Sequence, residues 1–189
     1  MTGEPRFTAF SRILHWLMAV LILAMLFIGV GMVASVSERY RLLVSIHKPL
    51  GILILVLVVV RIANRLFNSP PPLPRQLPPW QALAAKASHL VLYALMVAMP
   101  LVGWGMLSAA GYPIVLYGPV HLPAILPQDA MLHATLRQAH TVLAYLLFAT
   151  ILAHLGAALM HALIRRDGVF PSMASWKART TDGAAVRKG

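Results

Sequence analysis

Three stretches of the chain contain no charged side chain: Ile13 to Ser37, Ala87 to Gln128, and Gln138 to Ile164. Each is longer than the ~20 residues that cross a bilayer as a helix. A fourth apolar stretch, Ser45 to Phe67, holds Lys48 near one end and Arg61 and Arg65 near the other, where long cationic side chains reach headgroups while their stems stay in hydrocarbon. The pattern predicts an all-α membrane protein, a four-transmembrane-helix bundle. Helix one ends at about Val36, helix two runs to about Phe67, helix three from about Leu83 to Ser108, and helix four from about Thr135 to Leu163. "SERYRLLVS" reads as a short turn between helices one and two. "NSPPPLPRQLPPW" reads as a stiff connector, because proline lacks the amide donor and favours extended backbone. Pro100, Gly103 and Gly105 are expected to bend helix three or admit a close neighbour. The proline-rich stretch from Ala109 to about Met131 is expected to cap one end of the bundle. The implied organisation is a leader (1–10), the helical domain (11–166) and a polar tail (167–189), without internal repeats. The first apolar run is too long for a cleaved signal and lacks a small-residue cleavage site, so it reads as a retained helix.

Composition agrees with this reading. Of the 189 residues 59% are hydrophobic and 11% charged, and the mean hydropathy of +0.76 lies outside the range of soluble domains. The net charge of +11 raises the question of nucleic acid, but the positions of the cations answer it. If four spans alternate, Arg6, Arg12, Arg61, Arg65, Arg75, Lys86, Arg165, Arg166 and the cations of the tail share one side, against Arg39, Arg41, Lys48 and Arg137 on the other. The positive-inside rule makes the first side cytoplasmic, with both termini on it. The basicity is a topology signal and implies membrane lipid, with no nucleic acid, as the surrounding partner. There is no cysteine, which excludes disulfides, iron–sulfur ligation, thiolate zinc sites and covalently attached c-type haem. Histidine is the strong soft-metal ligand that remains.

Histidines recur inside the apolar runs, where an unpartnered imidazole is costly. His140 and His154 stand fourteen residues apart, a spacing that gives roughly 21 Å of helical rise and returns to within roughly 40° of the same face. Antiparallel helices then offer His47, near the start of helix two, at the depth of His140. They offer His15, near the start of helix one, at the depth of His154. Two stacked bis-histidine sites follow, a pattern that suits two haems. A single intramembrane histidine is often only an interhelical hydrogen-bonding group, but two depth-matched pairs are harder to explain that way. Zinc would gather three or four ligands at one point, whereas these histidines come in twos. Gly51, Ala144 and Gly29 leave room for a macrocycle, or serve ordinary helix packing.

Arg61, fourteen residues after His47, is a candidate contact for a haem propionate or a quinone headgroup, or simply a snorkelling side chain. His161, two turns beyond His154, is a candidate quinone contact or proton carrier, or an interfacial anchor. His89 is a weaker candidate of the same kind. His121 and His133 read as surface residues.

The segments "ILHWL", "SIHKPLGILILVLVVVRIANR", "AKASHLVLYALMVAMPLVGWGM" and "AHTVLAYLLFATILAHLGAALMH" together resemble the four helices of the bacterial cytochrome b561 family, over about Phe7 to Arg166. The resemblance implies two b haems, held by His15 with His154 and by His47 with His140. It also implies a multi-pass protein of the bacterial inner membrane that exchanges electrons with the quinone pool. In one branch of the family the activity is a superoxide oxidase, taking electrons from superoxide outside and reducing ubiquinone. Arg39, Arg41, Lys48 and Arg137 would draw the anion to the external mouth. A quinone site is expected near Arg61, Arg75, Lys86 and His161. Related cytochromes anchor hydrogenases and formate dehydrogenases, so the alternative is an electron carrier linking a partner dehydrogenase or periplasmic redox protein to quinone. A histidine-lined metal or proton transporter is a third reading, weakened by the lack of intramembrane Asp or Glu.

Overall fold

The computed structural model describes residues 6–36, 38–72 and 77–174. Four long helices dominate it: α1 (Ala9–Val33), α2 (Glu38–Phe67), α3 (Pro79–Ala109) and α4 (Ala130–Leu159, continued by a wider π-helical turn, Met160–Arg165).

 A two-stranded hairpin, β1 (Ile114–Tyr117) and β2 (Val120–Leu122), lies between α3 and α4, and a six-residue helix α5 (Val169–Ala174) follows α4. All four long helices have the length and apolarity to cross a membrane. The all-α expectation therefore holds for the spans and is amended by the hairpin.

Each helix begins where its local chemistry allows. Thr8 caps α1 by accepting the Ser11 N–H at 3.2 Å, and Asp129 caps α4 by accepting the Leu132 N–H at 2.7 Å. Pro79 opens α3, where its missing amide donor costs nothing. The stretch expected to be a turn after helix one is instead the start of α2: Glu38 and Arg41 pair one turn apart on exposed helical backbone. Hydropathy misses such turns because they stand outside the apolar run. Pro49 and Pro100 lie inside α2 and α3, and each removes one helical hydrogen bond.

The helices pair as α1 on α2 and α3 on α4, and α2 joins the pairs through α3. α4 approaches the backbones of α1 and α2 only sparsely. The small buried core follows helical periodicity: Leu14, Met18 and Ile22 of α1 interlock with Ile54 and Val58 of α2. Tyr93, Met96 and Val97 of α3 and Ile151 of α4 close over it. Large apolar side chains cover the outside, Phe27 being 76% exposed and Leu155 51%. So much outward-facing hydrocarbon is the surface of a protein solvated by lipid.

The segment between α3 and α4 folds down over their ends, as expected of a cap. Trp104 Nε1 donates to the Pro123 carbonyl at 2.9 Å, and the Ser108 hydroxyl accepts the Ile125 N–H at 3.2 Å. Gly105 makes room for Leu126, whose Cδ1 lies 2.9 Å from where a Cβ would stand. His133, expected at the surface, is half-buried and donates from Nδ1 to the Met106 carbonyl at 2.9 Å. His121 is exposed, as expected.

Candidate functional site

Four histidines project between helices whose backbones hardly meet. His15 of α1 faces His154 of α4 with ring centroids 6.4 Å apart, and His47 of α2 faces His140 of α4 with centroids 6.2 Å apart. The pairing expected from depth is the pairing in the structure. A nitrogen about 2.0 Å from a transition-metal ion sets its ring centroid about 3.2 Å from the metal, so two imidazoles on opposite sides of one ion have centroids about 6.4 Å apart. Both pairs match that span.

The pair nearer the cap rests against α3 and includes an orphaned ring nitrogen. Nδ1 of His47 is buried without a hydrogen-bond partner in the described residues, a costly arrangement for a polar atom that has no other use. The His140 ring lies against Gly103 of α3, with Cε1 3.3 Å and Nδ1 3.6 Å from where a Cβ would stand. Gly103 is thus a seat for the imidazole. Gly51 faces Met25 of α1, and Gly29 faces open space. Lys48, beside His47 in sequence, lines an open cavity of about 390 Å³ together with Tyr40, Arg41, Val44, Ser45 and the hairpin residues Val115 and Leu116.

The pair nearer the termini sits in a more polar setting. Arg61 of α2 donates to the Ser11 carbonyl at 3.2 Å and lies 3.3 Å from Nδ1 of His15. Asn64 donates to the Ser11 hydroxyl at 2.7 Å. His89 of α3 stands with its ring centroid 5.5 Å from that of His154, and its Nδ1 donates to the Ala85 carbonyl at 2.7 Å. His89 therefore joins the pair at this end, at a distance too short for opposed ligation of one ion. His161 donates from Nδ1 to Asp167 at 2.6 Å. Lys86 is exposed, and Arg75 lies outside the described residues. Sequence reasoning missed Asp167 and the seating role of Gly103. Asp167 fell within the stretch read as a polar tail; the run "RRDG" after helix four is turn-forming, but a turn does not name its partner.

No cluster of three or more His, Asp or Glu able to hold a bare metal ion occurs among the described residues. The donor set is two imidazoles at each of two places, which fits a group that brings its own equatorial ligands. Residues 6–176 match the family described as prokaryotic cytochrome b561. The chain belongs to that family.

Members bind haem b and transfer electrons across a membrane, and this b561 chain is accordingly a multi-pass membrane electron-transfer protein. Its similarity extends over nearly its whole length. It is 34% identical to cytochrome b561 homolog 2 of Escherichia coli (strain K12) over 177 residues, which is 91% of this chain and 93% of the relative. It is 29% identical to cytochrome b561 homolog 1 of the same organism over 171 residues, 89% of this chain and 96% of the relative. A probable superoxide oxidase CybB of Yersinia pestis is 29% identical over 162 residues, 85% of this chain and 90% of the relative.

Proposed function

We propose that this b561 chain holds two b haems, one between His47 and His140 and one between His15 and His154, and passes electrons from superoxide on the periplasmic side to ubiquinone near the cytoplasmic side of the inner membrane. The observation that carries the proposal is the pair of imidazole spans, 6.2 and 6.4 Å, each bridging helices with little backbone contact. When bound, haem supplies one-electron chemistry at iron. The protein supplies the rest. His140 is seated by Gly103 and faces His47 across the interhelical space. Lys48, Arg137 and Arg41, the last offset by Glu38, give the cap end a positive field that favours approach of a small anion. At the other end Arg61 is the cation nearest the ligand pair, placed to meet an anionic propionate. His161 is the proposed quinone contact, and no buried carboxylate is required at the oxidising end.

The resemblance to a probable superoxide oxidase supports the choice of donor. The alternative is an electron carrier between a partner redox protein and quinone. Reduced-minus-oxidised spectra with haem quantitation test the cofactor proposal: two haems per wild-type chain, with His140→Ala and His154→Ala each losing mainly one. Unchanged haem content in both variants refutes the ligand assignment. Rapid haem reduction by superoxide in the purified protein supports the donor assignment, while inertness toward superoxide favours the carrier reading.

A further inference from the structure

The end of α4 departs from helical geometry in a way that brings an acid to His161. Over Met160–Arg165 the helix widens into a π turn, closed by the Arg166 N–H donating to the His161 carbonyl at 2.8 Å. Arg166 then adopts a left-handed backbone at φ 51°, and Gly168 another at φ 82°. A non-glycine residue in that region is strained, and π turns are frequent at functional sites. The effect is a reversal. Had α4 continued, Asp167 would lie about 9 Å further along the axis and about 240° around it, out of reach of His161. Instead its Oδ2 accepts the His161 Nδ1 proton at 2.6 Å, while Oδ1 accepts the Val169 N–H at 3.3 Å. The two side chains are only 14% and 20% exposed, so the interaction is less screened than a surface pair.

Asp167 is set apart from the other described acids. Glu38 pairs with Arg41 on exposed backbone, and Asp129 caps α4. α5, packed against the π turn, brings no titratable side chain, and Arg165 and Arg166 on the turn itself are exposed.

We propose that Asp167 is a positioning residue for quinone reduction, fixing the Nδ1 proton of His161 so that Nε2 is the atom offered to the quinone oxygen. This rests on the reading of His161 as the quinone contact. The carboxylate also balances the ring's charge whenever Nε2 carries a proton. In the reaction, a quinone gains two electrons from two superoxide ions, which leave as two molecules of dioxygen. It also gains two protons. One comes from His161: the Nε2–H bond breaks, an O–H bond forms on the quinone, and the neutral ring keeps its Nδ1–H on Asp167. Water at this end returns the proton to Nε2 and supplies the second proton to the other quinone oxygen.

The test uses haem-loaded protein, chemically reduced and then mixed with a short-chain ubiquinone in H₂O and in D₂O, with haem re-oxidation followed by stopped flow. Asp167→Asn is expected to keep its haem content and quinone half-saturation, to lose about tenfold in limiting rate, and to show a larger solvent isotope effect, because proton delivery becomes slower. Asp167→Glu restores the carboxylate and is expected to recover most of the rate. His161→Gln is expected to lose on the order of a hundredfold. If Asp167→Asn keeps the wild-type rate and isotope effect while His161→Gln is slow, the positioning role fails and the quinone site stands. If His161→Gln matches wild type, the quinone reading fails and the positioning role with it. A loss of haem in Asp167→Asn that Asp167→Glu does not reverse marks a merely structural tie and also overturns the proposal.

Discussion

Gly103 offers a direct test of the pair nearer the cap, because it touches a proposed ligand without being one. A Cβ at this position would stand 3.3 Å from Cε1 of His140 and 3.6 Å from Nδ1. With carbon contacts comfortable at about 3.5–4.0 Å, Gly103→Ala asks the ring to move by a few tenths of an ångström. Gly103→Val adds two methyl groups on the same side. Overpacking of this kind costs about 1–3 kcal/mol, which corresponds to roughly five- to 150-fold weaker retention of a group held by that ring. The helix itself gains, since glycine in a helix interior is about 1 kcal/mol worse than alanine. The expected result is selective. Gly103→Ala keeps two haems with a changed spectrum for one, and Gly103→Val loses mainly the haem held by His47 and His140. Haem quantitation with redox-difference spectra of the purified variants reads this out. Retention of both haems with wild-type spectra in Gly103→Val, or equal loss of both, would refute the claim that Gly103 seats the imidazole.

Three further outcomes follow from other contacts. Arg61→Gln removes the guanidinium beside His15 and the Ser11 carbonyl, so a potentiometric titration should show one haem shifted to lower potential and the other unchanged. Lys48→Glu, at the cavity near His47, should slow haem reduction by superoxide and flatten the fall in rate with added salt, measured by pulse radiolysis across ionic strength. Asp129→Ala removes the cap of α4; a loss of about 1 kcal/mol is expected in thermal or denaturant unfolding, with the haem spectra unchanged.

Length and apolarity located the four spans because a helix crossing hydrocarbon must satisfy its own backbone and clothe itself in apolar side chains, demands that act residue by residue along the chain. The same locality made the histidine pairs legible. A fourteen-residue spacing puts His140 and His154 on one face of one helix, and antiparallel order brings His47 and His15 to matching depths. Tertiary structure alone decided what else meets those rings. Gly103 under His140, His89 beside His154 and Arg61 against His15 each depend on how one helix is rotated against another, and uniformly apolar spans leave that rotation unspecified. Asp167 reaches His161 only because a π turn and two left-handed residues reverse the chain. The early start of α2 was hidden for the opposite reason, since its first turns stand clear of the hydrocarbon and carry polar residues like those of a loop. Depth along a helix is set by counting residues, but contact across the space between helices is set by packing.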